Sequence, residues 1–164
     1  MQITRPDEKT VLLSHLDALL SELLRQVPQS ADPGDNAAAR ARLFSLPTHD
    51  KAEGEMLEDW REYVEPELAK LFLSSIEIIQ ADLKKLRVDQ MSGDATLSIS
   101  AAHLDNWVHG LNQARLALSA RHDFTEEDME RSLPISGDPR ALALLQIRFY
   151  GILQELFLRE LEPD

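Results

Sequence analysis

The chain has no cysteine, which excludes disulfides, thiolate metal centres and cysteine nucleophiles. Glycine and proline are scarce, six and eight in 164 residues, so few positions break a helix. Basic residues are in deficit: 17 Lys and Arg stand against 29 Asp and Glu, a net charge of −12. A chain this acidic repels phosphate backbones, and nucleic-acid binding would need a segregated basic patch. Its basic groups, Arg40/Arg42 and Lys84/Lys85/Arg87, are short. The latter falls at an expected helix end, where cations complement the dipole. No apolar run approaches the ~18 residues of a membrane span, and MQITRPDEKT lacks the pattern of a signal peptide. The expected location is the cytoplasm.

Catalytic and metal signatures are missing as well. No H-E-x-x-H, E-x-x-H, G-x-S-x-G or phosphate-cradling glycine loop occurs. His103 and His109 are six positions apart, about 120° around a helix, so they share no ligand face. No cofactor is expected.

What is present is helical periodicity. Pro6-Asp7-Glu8 resembles a first helical turn, followed by Leu12, Leu16, Leu19, Leu20, Leu23 and Val27 until Pro28. Asp35 or Asn36 caps a short helix, and Asp50 starts another that Pro66 interrupts. A long helix then runs to about Arg87 with Leu68, Leu71, Phe72, Ile76, Ile79, Leu83 and Leu86 inward. Residues 88–100 read as extended loop with a two-residue bridge at most. Ser100 caps the central helix, whose stripe is Leu104, Trp107, Val108, Leu111 and Leu118. Thr125 opens a capping-box pattern with Asp128, and the short helix it starts stops at Pro134. Asp138 and Pro139 start the last helix, to about Leu161, apolar on two sides: Leu142, Leu145, Phe149, Ile152, Leu153 and Leu156 on one, Leu144, Ile147 and Leu158 on the other. The expected fold is one all-α domain over residues 1–164: a helical bundle of five main helices plus one or two short ones, without substantial sheet.

Two features point to function. From Asp50 to Glu67 eight acids face two bases, and Glu55, Glu58, Asp59 and Glu62 share the face opposite Leu57 and Trp60. An outward acidic ridge gives no pocket to perturb a carboxyl; it serves as a solvated face or as a docking surface for a basic protein partner. The second is Arg115. At about 100° per residue it projects inside the apolar stripe of the central helix, where an unpaired charge is costly. A carboxylate is expected to meet it, Asp82 first and Glu160 second, as a structural clamp. The alternative is a site for a small anion or substrate between the central and last helices, built from Asn112, Arg115, Gln146 and Asp82.

The stretch W-V-H-G-L-N-Q-A-R-L-A-L-S-A-R followed by F-T-E-E-D resembles a bacterial family catalogued as a domain of unknown function, number twenty-seventeen. Trp107, Leu111, Asn112, Arg115, Leu116, Leu118 and Arg121 fall on its repeated positions. Arg42-Leu43-Phe44 with Pro47, and the L-Q-E-L near the C-terminal end, are similar to its flanking segments. The chain departs at Ser119-Ala120, where Gly-Thr is usual, and at Gly110, where Ala is. The resemblance implies an uncharacterised helical protein. It also implies a link to bacterial protein turnover, since family genes often lie near that of the N-end-rule adaptor of the Clp protease. The leading expectation is a non-enzymatic interaction or regulatory protein; the partner's identity and the oligomeric state are not encoded in any motif.

Overall fold

The structure, a computed structural model, describes residues 1–48, 50–130 and 137–161. It is 66% helix but carries 14% strand in a four-stranded antiparallel sheet, so the all-α expectation is overturned. Strands β1 (Gln2–Asp7), β2 (Thr10–Leu16), β3 (Arg87–Val88) and β4 (Ala95–Ser100) lie in the order β1-β2-β4-β3.

The N-terminal residues form a hairpin in place of the expected first helix. In β2 the alternation of Val11 and Leu13, both fully buried, with the part-exposed Leu12 and Ser14 is a period of two. Leu12, Leu16 and Leu19 also fit a helical period, and the two signals overlap on the same leucines. The hairpin turn is tied by Asp7, whose side chain accepts from Lys9 N at 2.8 Å. Pro6 is not a helix start: it sits on the edge strand, inside the register shift between Thr4 and Asp7, where a missing N–H costs no ladder bond. A second shift between Leu13 and Leu16 is made by His15 at φ 53°, after which Asp17 accepts from Leu20 N and starts α1 (Ala18–Arg25). Strand β4 alternates likewise, with Ala95, Leu97 and Ile99 inward.

The remaining helices are α2 (Val27–Ala31), α3 (Ala37–Leu43, capped by Asn36), α4 (Gly54–Asp59), α5 (Glu65–Leu83), α6 (Leu104–Arg121), α7 (Glu126–Glu130) and α8 (Pro139–Leu161). Pro66 acts as expected on the helix before it. Trp60–Val64 winds as a π turn, with Glu65 N donating to Trp60 O, which bridges into α5 where proline offers no donor. A 3-10 turn (Ala101–His103) joins β4 to α6, and Ser100 makes no side-chain cap. At α7 the capping box closes: Asp128 Oδ2 accepts from Thr125 N at 3.0 Å, and Asp128 N donates back to Thr125 Oγ1 at 3.3 Å. The stop expected at Pro134 lies outside the described residues.

Helix α6 is the hub, packed by α8, α2, α3 and α5. The inner face of the sheet meets α1, α2, α5, α6 and α8 in one core containing Leu13, Leu97, Leu24, Ile79, Trp107, Tyr150 and Phe157. The inward faces differ from the leucine pattern in two helices. Leu71 of α5 and Leu142 and Ile152 of α8 are exposed, while α8 buries Ala143, Ile147, Tyr150, Leu153 and Phe157. By length and composition α8 could cross a membrane, yet half of its apolar window is buried within the fold, as suits a core helix.

Candidate functional site

The residues singled out as one polar cluster occupy separate places. Asp82 sits on the inward side of α5, three residues after Ile79, and is fully buried. Its carboxylate accepts from Trp107 Nε1 at 3.1 Å, meets His103 Nδ1 at 2.9 Å and pairs with Lys85 Nζ at 2.6 Å. Buried carboxylates need this saturation, because an unpaired one is expelled by desolvation. His103 and Trp107 are one turn apart at the start of α6, so Asp82 fastens α5 to α6.

Arg115 therefore meets neither expected carboxylate. Its Nη1 donates to Gln154 Oε1 at 2.7 Å, and Gln154 Nε2 donates to Val108 O at 3.3 Å. The guanidinium lies flat against Gly151, where an added Cβ would stand 3.4 Å from Nε. Its stem is inward, Nη1 has a neutral amide as partner, and Nε is buried without an acceptor among the described residues. Glu160 offers its backbone carbonyl to Arg5 at 3.1 Å. Asn112 faces solvent. Gln146 belongs to a third network: its Nε2 donates to Gln26 Oε1 at 2.7 Å and reaches Ser30 Oγ at 3.4 Å. Beside it the buried Tyr150 hydroxyl donates to Leu23 O at 2.9 Å and lies 3.3 Å from Ser30 Oγ. Burial pushes the Tyr150 pKa up to about 12. Between α6 and α8, Leu111, Ala114, Leu118, Ile147 and Leu153 are all buried, a filled interface.

Arg121, on a position of the central motif, donates from Nη1 to Ser30 O at 3.1 Å, at the C-terminal end of α2. Trp107, Arg115 and Arg121 thus each tie α6 to a different neighbour. Among the described residues no group of three or more His, Asp or Glu is placed to hold a metal ion.

Two surfaces remain. The first is the ridge of α4, the π turn and the first half of α5. Neither α4 nor the π turn buries a residue. Glu55, Glu58, Asp59 and Glu62 are exposed there, and so are Met56 (43%), Tyr63 (63%) and Leu71 (66%), whereas the exposed Leu73 lies on the groove side of α5. Trp60 lies within the ridge, with its Nε1 buried and without an acceptor among the described residues.

The second is a groove of about 960 Å³ between α2 and α5, with α6 at its floor. Phe44 and Phe72, whose rings lie 5.6 Å apart, and Ile76 give it an apolar wall. Arg25 and Lys84 stand on its rim, and Gln113 of α6 on its floor. Gln113 is 5% exposed, and its Nε2 is turned to Ala31 O at 3.5 Å. In that orientation Oε1 is buried without a donor among the described residues. An acceptor buried unsatisfied costs about 1–3 kcal/mol. The groove was not legible in the sequence: its walls come from residues 25–44 and 69–84, and Gln113 reads there as an ordinary helical polar residue.

No curated protein and no solved structure matches the chain. Residues 4–161 match the family described as "Domain of unknown function (DUF2017)". That match takes in nearly every element from β1 to α8, and the chain belongs to this family.

Proposed function

We propose that this chain is a non-enzymatic protein-interaction module that docks through the α4–α5 ridge. The observation that carries the reading is the exposure of Met56, Tyr63 and Leu71 along one segment whose α4 and π turn bury no residue. Scattered exposed apolar residues need no explanation, but a run of them beside a charged rim is typical of a contact surface. Glu55, Glu58, Asp59 and Glu62 select a partner whose apolar patch is rimmed by Lys or Arg. The filled α6–α8 interface and the engagement of Arg115 by Gln154 weigh against the rival, an enzyme or small-anion receptor between those helices. A place in protein turnover rests on the family resemblance alone.

The test is affinity capture with mass spectrometry using three forms: wild type, Glu58→Lys/Asp59→Lys/Glu62→Lys, and Met56→Ser/Tyr63→Ser. A partner held by wild type should be lost from both variants, and raised salt should weaken it because exposed charges are screened. A partner retained equally by all three would remove the ridge from consideration.

A further inference from the structure

We propose that the docking element of the partner is a single amphipathic α-helix, apolar on one face and flanked by Lys or Arg, that lies lengthwise along residues 56–71. The inference rests on the reading of the ridge as the docking surface and adds the form and length of what docks there.

Three features define that helix. The first is that residues 52–74 form helix short of a neighbour. None of them is buried, and α4 and the π turn pack extensively only on the elements next to them in the chain. A helix that met only water would be polar all round, yet this one carries Met56, Trp60, Val64, Leu68 and Leu71. The second is their spacing. In an α-helix a step of four residues advances about 40° around the axis, so a row at that spacing winds away from one side. The π turn over Trp60–Val64 takes up an extra residue, which cancels the drift at that step. The last step, three residues from Leu68 to Leu71, turns the row back. The result is one apolar row about 22 Å long at 1.5 Å per residue, exposed at Met56, Val64 and Leu71. Rows at four-residue steps are the ridges that seat in the grooves of a second helix. A helix of about 15 residues matches the length and satisfies its own backbone. An extended peptide would need free backbone partners, which a helical surface does not offer. The third is charge. Glu55, Glu58, Asp59 and Glu62 lie beside the row and form no ion pair among the described residues. Between Asp50 and Glu67 acids outnumber bases eight to two. The same segment of a second copy is therefore repelled, whereas Lys or Arg beside the apolar face of a different helix is attracted.

The experiment uses two synthetic peptides of about 18 residues, both made of Leu and Lys in the same proportion. One places Leu at helical i, i+3, i+4, i+7 spacing; the other is scrambled so that no apolar face forms. Binding of each labelled peptide to the full chain is read by fluorescence polarisation, and helix gained on binding by circular dichroism. The patterned peptide should bind at least about tenfold more tightly than the scrambled one and gain helix as it binds. Met56→Ser/Leu71→Ser should weaken the patterned peptide about tenfold or more, the loss of two apolar contacts. That variant should melt as wild type does, because both residues are exposed. Glu58→Lys/Asp59→Lys/Glu62→Lys should weaken both peptides, since charge attracts either one. Equal binding of the two peptides, or binding without helix gain, would overturn the helical partner while leaving an acidic docking ridge intact. No binding of the patterned peptide would overturn it too, and the ridge reading would then stand or fall on the captured partner alone. Binding that neither variant weakens would place the peptide elsewhere and overturn the proposal.

Discussion

Removing the Asp82 carboxylate strands Trp107 Nε1 in the core and unpairs His103 and Lys85. Asp82→Ala should therefore cost about 3–5 kcal/mol, the range for breaking a buried charged cluster, read by urea denaturation. Asp82→Asn, which still accepts from the indole, should cost less. Arg115→Ala should cost only about 1.5–3 kcal/mol, one charge-assisted hydrogen bond, because Gln154 carries no charge to be left behind. Tyr150 sets a pH limit. Its folded pKa, about 12, lies above the ordinary 10, so the unfolded chain releases this proton first. The contribution is constant below about pH 10 and is lost as pH rises from there through 12. Two units correspond to about 3 kcal/mol. Stability measured across that window should fall, and Tyr150→Phe should flatten the fall; an unchanged slope in the variant would exclude Tyr150 as its source.

At the scale of elements, α5 and α6 meet at Gly110, where an added Cβ would come 2.3 Å from Ile79 Cδ1. Gly110→Ala gains about 1 kcal/mol of helix propensity but overpacks the contact by about 1–3 kcal/mol. With Ile79→Val present the clash is relieved, so the double variant should be more stable than the two single effects sum to; additivity would refute the contact. This packing was only half legible in the sequence. Helical stripes located α5, α6 and α8, and Asn36, Thr125 and Asp138-Pro139 marked the starts of α3, α7 and α8, because caps are local chemistry. The sheet was missed because its signals are not local: β2 carries leucines that fit either period, and its partner β4 lies more than 80 residues away. Asp82 stood out as a carboxylate on an inward stripe. Its true partners, His103 and Trp107, sit one turn apart on α6, a pair that periodicity treats as one polar edge and one core position. The acidic ridge was visible as composition, whereas Leu71, exposed on α5, was assigned to the core by the same periodicity.

Taken whole, the molecule has charge −12, an excess of acids that ion pairing with its bases cannot cancel, so self-repulsion is part of its energetics. Added monovalent salt should raise its melting temperature at neutral pH by screening that repulsion, while weakening contacts at the acidic ridge. Scanning calorimetry across a salt series checks the first effect. A melting temperature that falls with salt would mean that attractive pairs outweigh repulsion.

The strand pairing Thr10↔Ser100 and Val11↔Ile99 has a consequence for synthesis on the ribosome. The β1–β2 hairpin emerges well before its neighbour, and the inner edge of β2 has no partner strand until β4 follows some 80 residues later. At about 5–20 residues per second that edge waits about 4–16 seconds with unpaired backbone groups and with Val11 and Leu13 uncovered. During this interval the hairpin is open to chaperone capture or to pairing with another nascent chain.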